Sequence, residues 1–188
     1  MKRLLVVVFL LFPFFCSHAE EHVVFYRFGT KDQIVWNQLG KYFVTKGYRV
    51  SFYDGADNLE RHVENVNRIN RLNASLLIAM DYNIGDKNRL MVAVTTAKKG
   101  KGNILAIDEV PAAHGAESRE LASLVAGVFK TNVKELPLFP LLGVDMPGIF
   151  LGVESTPDRS TEIFDKLHES LQKYFKRGRK DERQRKGQ

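Results

Sequence analysis

Few side chains in this sequence have the chemistry to hold a metal ion or to move a proton. The histidines after residue 20 are His22, His62, His114 and His168, and no two of them are closer than 40 residues. The HExxH pair of many zinc enzymes is absent. Charged neighbours on predicted helices place His62 and His168 at the surface. His22, at a predicted strand start, and His114, on a predicted loop, are therefore the candidate metal ligands.

Two acidic residues, Asp81 and Glu154, are the candidate catalytic residues because each directly follows a predicted strand. Asp81 comes after the apolar run at 74–80, and Glu154 comes after the run at 148–153. The clefts of α/β sheets open at the carboxyl ends of strands, so both carboxylates could face one cleft. The structural alternative is that each caps a turn or a helix, and Glu154 does stand just before a predicted helix start.

The sequence lacks the motifs of several enzyme classes, since it contains no GxSxG, no Walker loop, no GxGxxG and no CxxC. Residues 1–19 are predicted to be a secretory signal peptide. Lys2 and Arg3 precede an apolar run at 4–15, and Ala19 supplies the small residue after which we expect cleavage. Cleavage would remove Cys16, the one cysteine, and would leave no thiol for a disulfide or a metal site.

Two alternatives to a cleaved signal peptide stay open. One is an uncleaved membrane anchor, although the apolar run is short, contains Pro13, and a spanning helix needs about 20 residues. The other is lipid attachment at Cys16, where the preceding Phe14 and Phe15 are bulkier than lipoprotein signals favour.

Alternating strand-like and helix-like periods predict one α/β domain over residues 20–175. Its central sheet would be mostly parallel or mixed, with about six strands flanked by helices. Strands are predicted at 22–28, 48–53, 74–80 and 148–153, a hairpin at 90–96 and 104–110, and helices at 32–46, 58–72, 118–133 and from 156 onward. The proline-containing loop at 136–147 is expected to pack inward. If it were exposed, its apolar side chains would form a partner surface.

The net charge of +6 is unevenly distributed along the 188 residues. Residues 20–175 carry 19 basic and 20 acidic side chains, whereas residues 176–188 carry seven basic and two acidic ones. This composition predicts a disordered basic tail at 176–188. Such a tail could contact an anionic wall polymer or a membrane surface. Nucleic acid is not expected as a partner, because an exported protein rarely meets it.

Several segments, in order, resemble the zinc-dependent N-acetylmuramoyl-L-alanine amidases. Residues 58–83 (NLERHVENVNRINRLNASLLIAMDYN) are similar to the family's LxxRxxxAN helix and the strand after it, which ends in SIHAN. Residues 46–50 (KGYRV) resemble the family's RGYxV, and residues 146–151 (MPGIFL) resemble its MPAVLVE. These similarities cover most of residues 23–175 and imply the amidase fold.

The positions that carry zinc and catalysis in that family are changed in this sequence. The family's first zinc histidine, in DPGHGG, falls in residues 26–30 (YRFGT), and the histidine of SIHAN falls on Asp81. The catalytic glutamate of MPAVLVE falls on Gly152, with Glu154 two residues later and so on the same strand face. The family's glutamate ligand has no counterpart. The resemblance therefore implies the amidase fold more than its reaction, and no cofactor is expected.

These observations predict an exported, catalytically degenerate protein of the bacterial cell envelope that binds peptidoglycan or regulates a cell-wall enzyme. The alternative is a divergent active amidase or another metal-assisted hydrolase of peptidoglycan. It would hold zinc with Asp81, Glu154 and either His22 or His114, which must then converge to about 2.0–2.2 Å from one ion. A third possibility is an unrelated exported α/β domain with only an architectural similarity.

Overall fold

Six strands and four helices are present in the computed structural model, which describes residues 20–29, 32–98 and 105–186. The predicted signal peptide, with Cys16 and the cleavage site, lies outside the described residues. The elements are β1 (His22–Gly29), α1 (Gln33–Thr45), β2 (Arg49–Asp54), α2 (Leu59–Asn70), β3 (Leu76–Ile84), β4 (Arg89–Thr95), α3 (Gly115–Phe129), β5 (Val133–Leu136), β6 (Gly148–Ser155) and α4 (Ser160–Lys186). None of the helices in these ranges is both long enough and apolar enough to cross a membrane.

The strands form one mixed sheet in the order β2-β1-β3-β6-β4-β5. β2, β1, β3 and β6 are parallel, β4 pairs with β6 in the antiparallel direction, and β5 is parallel to β4. We call the edge at which β1, β2, β3 and β6 end the carboxyl edge, and the opposite edge the amino edge. The predicted single α/β domain with a mixed six-stranded sheet is confirmed.

The two faces of the sheet have different covers, because strand side chains alternate between them. On one face α1, α3 and α4 pack over a large core that includes Phe25, Ile78 and Leu151. On the other face a smaller core joins α2 to the loop after β5, with Tyr26 and Ala79 below it. This smaller cover lies mainly over β1 and β3, so the same face of β6 and β4 stays accessible at the carboxyl edge.

The predicted hairpin at 90–96 and 104–110 is wrong. The first segment does form β4, but residues 105–109 are not a strand, and a 3₁₀ turn follows at Val110–His114. The Ile107 carbonyl accepts a hydrogen bond of 2.8 Å from the amide of Gly143, which holds this segment against the loop before β6. The partner strands of β4 are instead β6 and β5. The strand β5 was not predicted because it has only four residues, two of which are charged.

The loop at 136–147 packs inward, as the sequence analysis expected. Leu141, Val144 and Met146 are all at most 4% exposed and belong to the smaller core. His62 reaches this loop from α2 and donates a hydrogen bond from Nε2 to the carbonyl of Leu142, at 2.9 Å. The loop is therefore a second layer of the core.

The expected surface positions of His62 and His168 are wrong. His62 is fully buried, with Nδ1 3.1 Å from the Tyr26 hydroxyl. His168 is half-buried on α4 among aromatic rings, including those of Tyr42 and Tyr48. Burial lowers the pKa of both histidines below the usual value. Their charged sequence neighbours lie on the outer faces of α2 and α4, and helical periodicity turns the imidazoles inward.

The structure differs from the expected disordered tail after residue 175. The backbone of α4 remains helical as far as Lys186. Arg177 forms an ion pair of 3.6 Å with Glu120 of α3, and Arg179 Nε donates to the carbonyl of Phe175. The long packed segment supplies the helix nucleus, so propagation into a segment rich in arginine and lysine is favourable even without apolar contacts.

Candidate functional site

Asp81 and Glu154 line one cleft at the carboxyl edge, on the accessible face of the sheet. The cleft has a volume of about 620 Å³. Both residues lie inside strands, in β3 and β6, and do not follow them as the sequence suggested. Asp81 is paired in register with Gly152, and Glu154 with Asn83, so all four share one face. We call this the carboxyl-edge cleft; its lining includes Asp81, Asn83, Asn88, Arg89, Met91, Lys134, Gly152 and Glu154.

The Asp81 carboxylate is held against the end of β1. Asn83 Nδ2 donates a hydrogen bond of 2.9 Å to Asp81 Oδ1. Gly29 lies directly beneath it with φ +79°, and a Cβ built on Gly29 would be 2.6 Å from the Tyr82 carbonyl oxygen and nearer still to Asp81 Oδ1. The end of β1 therefore has no room for a side chain directed toward Asp81.

Glu154 faces Arg89, its register partner on the antiparallel strand β4. Its side chain also lies over Gly85, where an added Cβ would be 2.8 Å from Glu154 Oε1. The residue at the N-cap of the following 3₁₀ turn is Thr156, and α4 begins only at Ser160. The alternative in which Glu154 caps the last helix is thus wrong.

The two candidate histidines lie at the other end of the sheet. His22 begins β1 at the amino edge and is 5% exposed, with Nε2 2.9 Å from Ser51 Oγ. Burial lowers its pKa below the usual value. His114 ends the 3₁₀ turn that leads into α3, with Nε2 3.0 Å from the carboxylate of Asp145, just before β6 begins. The structure therefore brings Asp81 and Glu154 together and places His22 and His114 away from them.

The family resemblance implies zinc at the carboxyl edge, and the residues there do not fit it. The alignment itself is consistent with the geometry, because Phe28, Asp81 and Gly152 are register partners on three adjacent strands. Around these register positions, however, the side chains that line the cleft supply two carboxylates, amides and two cations but no imidazole. Within 20–29, 32–98 and 105–186, no three histidine, cysteine or acidic residues are grouped to hold a metal ion. The internal gaps contain none of these residue types.

A second cleft of about 530 Å³ adjoins the first at the ends of β1 and β2, and the sequence analysis missed it. Among the charged side chains that line it, Arg27 is 16% exposed and pairs with Asp54 at 2.6 Å. The Arg27 guanidinium also lies over the rings of Trp36 and Phe52, at 5.8 and 5.4 Å. The available signal was an arginine within an otherwise apolar strand, in HVVFYRF.

Comparisons with known proteins give no match to any family model and none to a curated protein. Solved structures do match. The catalytic domain of the CD27L endolysin that targets Clostridia difficile superimposes with a TM-score of 0.54, over 82% of this chain and 98% of that one, at 10% identity. The catalytic domain of CwlV, an N-acetylmuramoyl-L-alanine amidase from Bacillus (Paenibacillus) polymyxa var. colistinus, has a TM-score of 0.53, over 83% and 98%, also at 10% identity.

The chain has the amidase fold. Because nearly the whole of each solved catalytic domain is covered, the similarity extends over the complete fold and not over a shared βαβ unit. At this identity the match establishes the fold alone. What the amidase-like domain does must be argued from its carboxyl-edge cleft.

Proposed function

We propose that this protein is exported to the bacterial cell envelope and that its amidase-like domain binds peptidoglycan through the carboxyl-edge cleft without cleaving it. The observation that carries the proposal is the composition of that cleft. At the position where the sequence resemblance implies an active site, the cleft offers carboxylates, amides and cations in place of the histidines that would hold zinc. The predicted signal peptide supports export, and the solved amidase structures support a cell-wall partner.

The charges of the cleft suit the stem peptides of peptidoglycan. Arg89 and Lys134 line it as donors for peptide carboxylates, while Asp81 and Glu154 can accept from amino or amide groups. Met91 and Gly152 form an apolar floor between these charged side chains. A Cβ added to Gly152 would lie 3.5 Å from Met91. A charged hydrogen bond in such a place contributes about 1.5–3 kcal/mol, so one lost cation should be measurable.

We expect Arg89→Ala to weaken co-sedimentation of residues 20–188 with purified peptidoglycan by about tenfold, because Arg89 faces the cleft and a charged hydrogen bond is lost. Arg68→Ala is the matched control. Arg68 is an exposed arginine of α2 whose partner is Glu64 at 3.7 Å, remote from the cleft. The control removes the same charge and should bind like the parent protein. Equal binding by both variants would place the peptidoglycan site elsewhere.

A second candidate function, a divergent hydrolase, is favoured by the shared position of Asp81 and Glu154 in one cleft. The same preparation incubated with peptidoglycan and added zinc distinguishes the two. We expect no released stem peptides by mass spectrometry. Release that a chelator and Glu154→Gln both abolish would replace the binding proposal with the hydrolase.

A further inference from the structure

The net positive charge of this protein is concentrated at the C-terminal end of α4. The part of α4 from Ser160 to Phe175 packs on the large core through Leu167, Leu171 and their neighbours. Beyond Phe175 the described side chains are exposed, and residues 176–186 contain no apolar side chain. These eleven residues, the basic extension, carry seven lysines and arginines against two acidic residues and continue the helix for about 16 Å.

The basic extension leaves the domain at the amino edge. α4 starts just after β6 ends, at the carboxyl edge, and returns along the sheet. At its packed end the Phe175 ring lies 6.1 Å from that of Tyr48, the residue before β2 begins. The extension and the carboxyl-edge cleft are therefore at opposite ends of the molecule, separated by a strand of eight residues, or about 26 Å.

The start of the described chain lies at this same edge. Glu20 and Glu21 line a cleft of about 460 Å³ together with Lys46, Lys176 and Arg179. The predicted signal peptide, with its apolar run at 4–15, ends at Ala19, directly before Glu20. The point at which the domain emerges from a membrane during export, and the strongest positive charge of the molecule, are thus side by side.

We propose that the basic extension binds the anionic headgroups of a phospholipid bilayer, so that the amino edge faces the membrane and the carboxyl-edge cleft faces the cell wall. The extension has cations but no apolar residue, and therefore it binds at the headgroup surface without insertion. A bilayer is favoured over a wall polymer because the chain emerges at this edge. The orientation gives the amidase-like domain access to peptidoglycan while it stays on the membrane.

The test uses residues 20–188 sedimented with phosphatidylcholine vesicles, with or without phosphatidylglycerol. We expect binding at least about tenfold tighter to the anionic vesicles, falling with added salt. The variant Arg183→Gln/Arg185→Gln/Lys186→Gln should lose most of it. The control is Lys87→Gln/Arg89→Gln/Lys134→Gln, in which Lys87 is an exposed residue of the connection between β3 and β4. It removes the same charge at the carboxyl edge and should retain vesicle binding.

The two triple variants also separate this proposal from the proposed peptidoglycan binding, since it rests on the proposed function only for export. The extension variant should keep peptidoglycan binding, and the carboxyl-edge variant should lose it. Equal loss of vesicle binding in both variants would overturn the proposal, because net charge alone would explain it. Equal binding to vesicles with and without phosphatidylglycerol would also overturn it. Tighter binding of the extension to a glycerol-phosphate polymer than to anionic vesicles would overturn it as well.

Discussion

Replacement of Gly29 by alanine is expected to destabilise the protein by about 3 kcal/mol. Two costs add at this position. Gly29 has φ +79°, where a Cβ is strained by about 1 kcal/mol, and the new Cβ would collide with the Tyr82 carbonyl and the Asp81 carboxylate. Relief of that overlap requires strand β3 to shift, which typically costs 1–3 kcal/mol. Urea unfolding followed by circular dichroism measures the change in unfolding free energy.

Gly47→Ala supplies the matched control for the strain alone. Gly47 ends the turn after α1 with φ +84°, and no atom lies within 4 Å of the Cβ that would be added. Its substitution should therefore cost only about 1 kcal/mol. If Gly29→Ala cost no more than Gly47→Ala, Asp81 would move freely and the end of β1 could host a side chain.

This pair of variants bears on zinc, since the family's first zinc histidine falls in the segment that contains Gly29. A larger Gly29→Ala cost means that position 29 has no room for an imidazole directed toward Asp81. Gly29→His is then expected to unfold the domain without gaining zinc affinity, which isothermal titration calorimetry would show. The closure supports a binding role for the carboxyl-edge cleft over a latent metal site.

The sequence predicted the elements well where periodicity was continuous. Asp32 and Asn58 cap α1 and α2 with side-chain hydrogen bonds to the first turns, and both helices begin next to the predicted position. The hairpin failed for a physical reason, because pairing of β4 depends on contacts distant in sequence. Local alternation indicates a strand but does not name its neighbour, and β4 pairs with β6, some sixty residues later.

The candidate site was predicted only in part, because some of its residues are brought together by strand pairings that are distant in sequence. The sequence analysis put Asp81 and Glu154 at the carboxyl ends of two strands, from which both could face one cleft, and both side chains do line the carboxyl-edge cleft. Arg89 and Lys134 were not foreseen, because they reach the cleft only through the antiparallel placement of β4 and the unpredicted β5. Charge alone gave no reason to separate them from the other exposed cations.

Acid is expected to destabilise this protein through His62, beginning at pH values above those that titrate carboxylates. Leu142 offers only a carbonyl to Nε2, so Nε2 carries the proton and Nδ1 accepts from the Tyr26 hydroxyl. That hydroxyl in turn receives the amide of Ala56 at 3.3 Å. A second proton on Nδ1 would leave the Tyr26 hydroxyl proton without its acceptor, inside a fully buried site.

The sign of the effect follows from the lowered pKa of His62, whose main cause is burial. Above the ordinary value of about 6.5, both folded and unfolded states are neutral there, and stability is unaffected. Below it the unfolded chain binds the proton first, so stability falls by up to about 1.4 kcal/mol per pH unit until the folded-state pKa is reached. Urea unfolding at pH 7.5, 6.5 and 5.5 measures this slope.

His62→Phe isolates the contribution of this one imidazole, because phenylalanine fills the space beside Phe139 but cannot titrate. The variant should be less stable at pH 7.5 by about 2–4 kcal/mol, since the Leu142 carbonyl and the Tyr26 hydroxyl each lose a partner. Its stability should nevertheless fall less steeply with acid, and the remaining slope belongs to His22 and His168, whose pKa values burial also lowers. If the unfolding free energy of the variant fell with acid as steeply as that of the parent protein, His62 would take up its proton at the same pH in the folded and unfolded states. In acid the loop at 136–147 would then be held by a charged imidazole in place of a neutral one.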